Sequence, residues 1–208
     1  MIGQTIDIAY WNQVLKDKTP DEIIDWALRL TNNNIVTTSF GVYSEVLLST
    51  ITKHSNDIKV IWCDTLYNQP STYEHAKNIT EKYHLNLRKY QSLLSKEEVE
   101  KTIGFPSLED DNFDQFSEVV KLEPFKRALK EHNPEVWFTN IRVRQTELRN
   151  KKDILSLSKN GILKVSPFYY WTDADLDAYV AKHNLTKNVD YFDPIKALQS
   201  RECGIHLQ

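Results

Sequence analysis

Cysteine is scarce: the chain of 208 residues has 2, Cys63 and Cys203. Two thiols cannot build a disulfide framework, and they fall short of a cysteine-only zinc or iron–sulfur site. Glycine is also scarce, at 5 residues, so Gly41 and Gly204, each inside a polar motif, are more informative than they would be in a glycine-rich chain. Positive charge is not in excess, because 26 Lys and Arg face 29 Asp and Glu for a net charge of -3. No basic field advertises nucleic acid or an anionic membrane, and any anion site must be local. Long apolar runs are missing. Even Ile58 to Cys63 is interrupted by Lys59, far short of the roughly 20 residues that cross a bilayer. The stretch Met1 to Asp7 lacks the basic and apolar regions of a secretory signal, so a cytoplasmic location is expected.

What is present suffices for a core: 40% hydrophobic residues, 11% aromatic and 26% charged, which argues against disorder. The length suits a single domain over residues 1–208, with 184–208 as a carboxy-terminal tail lacking any clear element. Thr19-Pro20-Asp21-Glu22 reads as a capping box with proline at the first helical position, and predicts a helix to about Leu30. The β-branched run Ile35 to Thr38 predicts a strand, the turn Ser39 to Ser44 follows, and Val46, Leu47, Leu48 and Ile51 then recur at helical spacing. The unit repeats as a strand at Ile58 to Cys63, a loop at Asp64 to Pro70 and a helix at Ser71 to Tyr83, with a third strand at Leu85 to Tyr90. The acidic middle, Ser92 to Val119, reads as an irregular surface excursion tacked down by Phe105, Phe113 and Phe116. Helix Glu123 to His132, strand Val136 to Thr139, strand Ile162 to Val165 and helix Thr172 to His183 restore the alternation. The expectation is an α/β fold: a Rossmann-like, mostly parallel sheet of about five strands with helices on both faces.

In such a sheet ligands bind beyond the carboxyl ends of the strands, where helix amino termini converge. Three polar loops follow strand ends. The first, Ser39 to Ser44, offers two hydroxyls, a glycine for close backbone approach and a helix amino terminus; any α/β fold also needs such a turn. The second is Asp64 to Pro70. The third, Arg142 to Arg149, has three arginines in eight residues, suited to bidentate contacts with phosphate or sulfate oxygens, or else to pairing with neighbouring acids at a solvated surface. Lys121 adds a cation just before a helix. Arg201-Glu202-Cys203-Gly204-Ile205-His206 closes the chain with a thiol flanked by cations, which favour the thiolate over its free pKa of about 8.5. That polar terminus offers little apolar sequence in which to bury a thiol. Cys63 ends an apolar strand and reads as packing.

Together these motifs resemble the assimilatory phosphoadenosine phosphosulfate reductases of the PP-loop adenine-nucleotide α-hydrolase-like group. Ser39-Phe40-Gly41 is similar to the family's modified PP-loop, and Trp62-Cys63-Asp64-Thr65-Leu66-Tyr67 to its strand-end segment. Lys121-Leu122-Glu123-Pro124 resembles its Lys-Val-x-Pro helix, Ile141 to Arg149 its arginine loop, and Glu202-Cys203-Gly204-Ile205-His206 its carboxy-terminal catalytic motif. The likeness runs over nearly the whole chain from about Thr19.

The resemblance implies thiol-dependent reduction of 3′-phosphoadenylyl sulfate to sulfite and adenosine 3′,5′-bisphosphate in sulfate assimilation, with no iron–sulfur cluster or other cofactor. Cys203 would attack the sulfate sulfur, and thioredoxin or glutaredoxin thiols would release sulfite. It assigns phosphosulfate binding to the Ser39, Phe40, Gly41 and Ser44 turn, Lys121, Arg142 and Arg149, the nucleoside's surroundings to Asp64 and Thr65, and further substrate contacts to Arg201 and His206. It also implies a homodimer, with neither nucleic acid nor membrane as partner. Tyr43 stands where ATP-cleaving members of the wider group have aspartate, which speaks against adenylation. The segment Asn184 to Ser200 is shorter than its family counterpart and holds only Lys187 and Lys196 as cations. A cluster-free adenylyl-sulfate reductase, and a nucleotide-binding protein that has lost turnover, are the alternatives.

Overall fold

The computed structural model describes residues 2–106, 112–143, 145–193 and 195. Cys203, Arg201, His206 and Lys196 lie outside the described residues, as does Arg144 of the basic loop. A 3-10 turn (Ile2–Gln4) and two α-helices precede the first strand: α1 (Ile8–Leu15) and α2 (Pro20–Leu28). Asp7 caps α1 by accepting from the Tyr10 amide at 3.0 Å. Helix α2 has the capping box expected from sequence, with Thr19 and Glu22 satisfying one another's backbone amides. Thereafter come β1 (Asn34–Thr38), α3 (Ser44–His54), β2 (Lys59–Cys63), α4 (Pro70–Tyr83) and β3 (Asn86–Tyr90). Helices α5 (Lys96–Thr102) and α6 (Phe113–Ser117) lead into α7 (Glu123–His132), and β4 (Val136–Phe138), α8 (Glu147–Asn150), β5 (Leu155–Leu157), β6 (Leu163–Val165) and α9 (Asp173–His183) complete the order. No helix among the described residues is long and apolar enough to cross a membrane.

The sheet has six strands rather than about five, in the order β3-β2-β1-β4-β6-β5. The added strand is β5, three residues long and antiparallel to β6, with Ser156 opposite Lys164. All other pairings are parallel. Parallel strands need crossovers, and the helices supplying them bury both faces. On one face Val36, Val60, Phe138 and Val165 pack with Ile24, Leu47 and Leu48. On the other, Ile35, Ile61 and Trp137 meet Phe125, Ala128 and Leu129 of α7.

The segment Ser92 to Val119 differs from the irregular excursion expected. Ser95 and Glu98 form another capping box at the start of α5, and Val99, Phe116 and Val120 are buried in a small cluster with Ile195. Glu97, Glu98, Glu100 and Asp114 face solvent while Val99 and Phe116 turn inward. The arginine loop likewise includes the helical turn α8.

The chain runs outward from β1 through β2 to β3, then returns to place β4 on the other side of β1. Loops after β1 and β4 therefore diverge, leaving a crevice at the carboxyl edge between them, the switch point at which open α/β sheets bind ligands.

Candidate active site

A cavity of about 340 Å³ occupies this crevice. Thr37, Thr38 and Ser39 line it from β1 and its turn, and Asn140, Ile141 and Arg142 from the loop after β4. Between Ser39 and Gly41, Phe40 takes a positive φ of 50°, a left-handed conformation that a bulky residue adopts only when its surroundings enforce it. Here they do. The Phe40 ring is fully buried and meets Trp62 edge-on at 5.0 Å. Its amide donates to Thr38 Oγ1 at 3.0 Å, and its carbonyl accepts from Asn188 Nδ2 at 2.8 Å. With Phe40 locked inward, Ser39 and Gly41 line the cavity.

Helix α3 starts at Ser44 without a side-chain cap; the Ser44 amide donates to the Gly41 carbonyl at 3.0 Å and the Val46 amide to the Tyr43 carbonyl at 3.3 Å, so what the helix offers an anion is chiefly the positive end of its dipole. Ser44 Oγ lies 3.3 Å from His75 Nε2 on α4. The next residue, Glu45, is fully buried. Its carboxylate accepts from Lys82 Nζ and Tyr83 Oη at 2.7 Å and from the Thr186 amide at 2.6 Å. Burial alone would raise its pKa; these donors outweigh it and hold the pKa below the usual glutamate value.

Among the described residues three cations reach the cavity: Lys121, Arg142 and Arg149, all nearly buried. Lys121 lies in a π-helical turn, Glu118–Leu122, directly before α7. The Glu123 amide bonds to the Glu118 carbonyl, while Pro124 has no N–H with which to close an ordinary turn. Arg142 pairs with Asp173 Oδ1 at 2.6 Å. Its guanidinium lies 5.3 Å from the centre of the Tyr43 ring, and Lys187 lies 5.7 Å from it, a cation–π arrangement. Tyr43 donates to Asp177 at 2.9 Å; burial first, and that carboxylate second, push its pKa up to about 12. Gln145 Oε1 accepts from the Arg142 amide at 2.9 Å and from Arg149 Nη1, joining the two ends of the arginine loop.

The structure thus brings Ser39, Gly41, Ser44, Lys121, Arg142 and Arg149 to one cavity, while Phe40, Asp64 and Thr65 are not among its lining residues. Asp64 is fully buried under Tyr73, Asn68, the Leu66 amide and Gln91, all donating to its carboxylate. Cys63 is partly buried against the Ile61 and Phe125 side of the core and also lines the cavity. Sequence reasoning missed Thr37, Asn140, Gln145, Tyr191 and Asp193. Tyr191 lies over the turn, 3.4 Å from where a Cβ on Gly41 would be. Asp193 Oδ2 accepts from Lys121 Nζ at 2.5 Å and from Tyr191 Oη at 3.2 Å. Asn140 was at least visible as an amide after a strand end; it donates to the Tyr43 carbonyl at 3.0 Å.

Known proteins share both sequence and shape. The model of the Phosphoadenosine phosphosulfate reductase domain matches residues 33–194, a span that includes the cavity. The phosphoadenosine 5′-phosphosulfate reductase of a Synechococcus species is 34% identical over 223 residues, covering 94% of this chain and 95% of that one. The enzyme of the same name from Proteus mirabilis is 34% identical over 176 residues, 84% of this chain and 72% of the other. A crystal structure of phosphoadenylyl-sulfate reductase from Candida auris, a phosphate complex, is similar with a TM-score of 0.75 and 29% identity, covering 87% of each chain. FMN adenylyltransferase of Candida glabrata, at 11% identity and a TM-score of 0.57, shares the fold alone. The cavity at the switch point of this sheet is therefore that of a chain which belongs to the phosphoadenosine phosphosulfate reductase family.

Proposed function

We propose that the protein reduces 3′-phosphoadenylyl sulfate to sulfite and adenosine 3′,5′-bisphosphate, with Cys203 as nucleophile. The observation that carries this reading is the convergence of Arg142, Arg149 and Lys121 with the Ser39 to Ser44 turn on one cavity. A phosphosulfate presents a row of anionic oxygens, and fixed cations with an uncapped helix start match them. Because the phosphate is a good leaving group, the protein needs mainly cations that bind the anhydride oxygens and an accessible thiolate to attack. The Cys203 thiolate attacks sulfur, the S–O bond to the phosphate breaks, and the bisphosphate departs with the bonding electron pair. The enzyme keeps an S-sulfocysteine. One thiol of thioredoxin or glutaredoxin then attacks Cys203 Sγ, sulfite leaves with two electrons, and the second thiol closes a disulfide on the reductant while freeing Cys203. A cytoplasmic homodimer is part of the same proposal, as are substrate contacts from Arg201 and His206.

Intact-protein mass spectrometry of the reduced protein mixed with the sulfonucleotide, without reductant, tests it. One sulfonate mapped to Cys203 and removed by reduced thioredoxin is the expected result. Cys203→Ser should abolish the adduct and sulfite release yet retain nucleotide binding, whereas Cys63→Ser should leave the adduct intact. A chain that binds nucleotide but takes no adduct on Cys203 would overturn the reductase reading in favour of a binding protein.

A further inference from the structure

Lys121 differs from Arg142 in the anion it holds. The partner of Arg142, Asp173, is 71% exposed, so water competes for both charges. The Lys121–Asp193 pair is sealed, its side chains 5% and 4% exposed. Asp193 is held on every side: Lys121 and Tyr191 donate to Oδ2, and the Ile195 amide to Oδ1 at 3.0 Å. An anion arriving at Lys121 would meet a like charge in a poorly solvated place, and neither anion can leave the lysine uncompensated without a large penalty. One must replace the other.

We propose that Asp193 is a resident counter-anion on Lys121, exchanged for the ligand's anionic group, and that this exchange sets how tightly the cavity holds anions. The proposal rests on the phosphosulfate-binding reading of the cavity. The geometry says which part of the chain moves. Asn188, buried, is fixed to the Phe40 carbonyl and to Thr72 Oγ1, so the exchange displaces the stretch 189–193 and leaves Asn188 in place. Tyr191, tied to Asp193 and resting over Gly41, goes with the carboxylate and uncovers the turn at which the rest of the ligand binds. Anion capture at Lys121 and opening of the Ser39 to Gly41 turn are thereby one event.

Asp193→Asn keeps the shape and an acceptor for the Ile195 amide while removing the charge. In calorimetric titrations it should tighten adenosine 3′,5′-bisphosphate and inorganic sulfate about tenfold and leave adenosine within about twofold. In a Lys121→Met background the same substitution should give no gain. Sulfate and bisphosphate binding unchanged or weakened by Asp193→Asn, or a gain that persists without Lys121, would overturn the proposal. Hydrogen exchange on the wild-type protein tests it independently of any variant's folding: the bisphosphate should deprotect the Ile195 amide and leave the helix α3 amides protected, and unchanged or increased protection at Ile195 counts against the exchange. Failure of the underlying nucleotide reading looks different. The bisphosphate would then bind no tighter than sulfate in either protein, with the gain for sulfate still present.

Discussion

The loops after β1 and β2 leave the same edge of the sheet side by side, and the sequence marks both as polar candidates for the site. They use their polar groups in opposite ways. The loop after β1 turns Phe40 into the core and leaves Ser39, Gly41, Tyr43 and the start of α3 lining the cavity. The loop after β2 folds around its own carboxylate: the Leu66 amide, Asn68 and Tyr73 converge on Asp64 Oδ1 at 2.9 to 3.1 Å, and Gln91 reaches Oδ2 at 2.8 Å. A buried carboxylate with four donors is a structural clamp. Polarity at a strand end therefore marks a site only where the polar groups are left with work to do.

The largest expected effect breaks the second loop. Asp64→Ala strands several buried donors at once and should cost about 3 to 5 kcal/mol by chemical denaturation, whereas Asp64→Asn, which keeps the acceptor facing Tyr73, should cost about 1 to 2. Anion binding by the protein that remains folded should change little. A selective loss of nucleotide affinity with native stability would place Asp64 in the site and erase the contrast. Next in size is Arg149→Ala on the cavity side. It should weaken the bisphosphate roughly 10- to 100-fold and adenosine far less, with a smaller loss of stability because Tyr169 bonds the Arg149 carbonyl rather than its side chain. Equal losses for both ligands would move Arg149 out of the anion site.

Local grammar explains what could be read in advance. The boxes at Thr19 and Thr172 fix helix starts within four residues, and β-branched runs mark β1 and β2. The box at Ser95 follows the same rule but is embedded in acidic sequence, so composition outweighed a local signal that was present. Strand β5 is three residues long, too short to show a period, and pairing with β6 decides it. The cavity divides likewise. Arg142 and Arg149 are visible because arginines cluster in sequence, whereas Asp193 meets Lys121 across 72 positions and Asn188 meets Phe40 across 148. Only the parallel topology brings such residues together, and no window along the chain contains it.

The remaining predictions are smaller and probe the seam between the two loops. Gly41→Ala puts a methyl 3.4 Å from the Tyr191 ring and 3.5 Å from Ser39 Oγ, contacts that a slight shift relieves. Stability should fall by less than about 1 kcal/mol while bisphosphate binding weakens a few-fold, since the methyl intrudes on the turn and not on the core.

His75 links the helices that follow the two loops, through Ser44. Burial lowers its pKa below the usual 6.5, against a smaller opposing pull from Glu45, and burial lowers that of His132 as well. With a folded pKa below the unfolded one, the unfolded chain takes up the proton first. The stabilising contribution is complete above pH 6.5 and is lost as pH falls through the depressed folded value. Glu45, whose pKa lies below 4.5 in the fold, gives up its contribution only in more acidic solution. Stability followed from about pH 8 to about pH 5 therefore reports mainly the histidines. His75→Gln should flatten that curve and His132→Gln should flatten it separately, the two effects adding because α4 and α7 are distinct helices in separate clusters. A curve that His75→Gln leaves unchanged would mean that the seam carries no proton-linked energy and that the two loops are joined by packing alone.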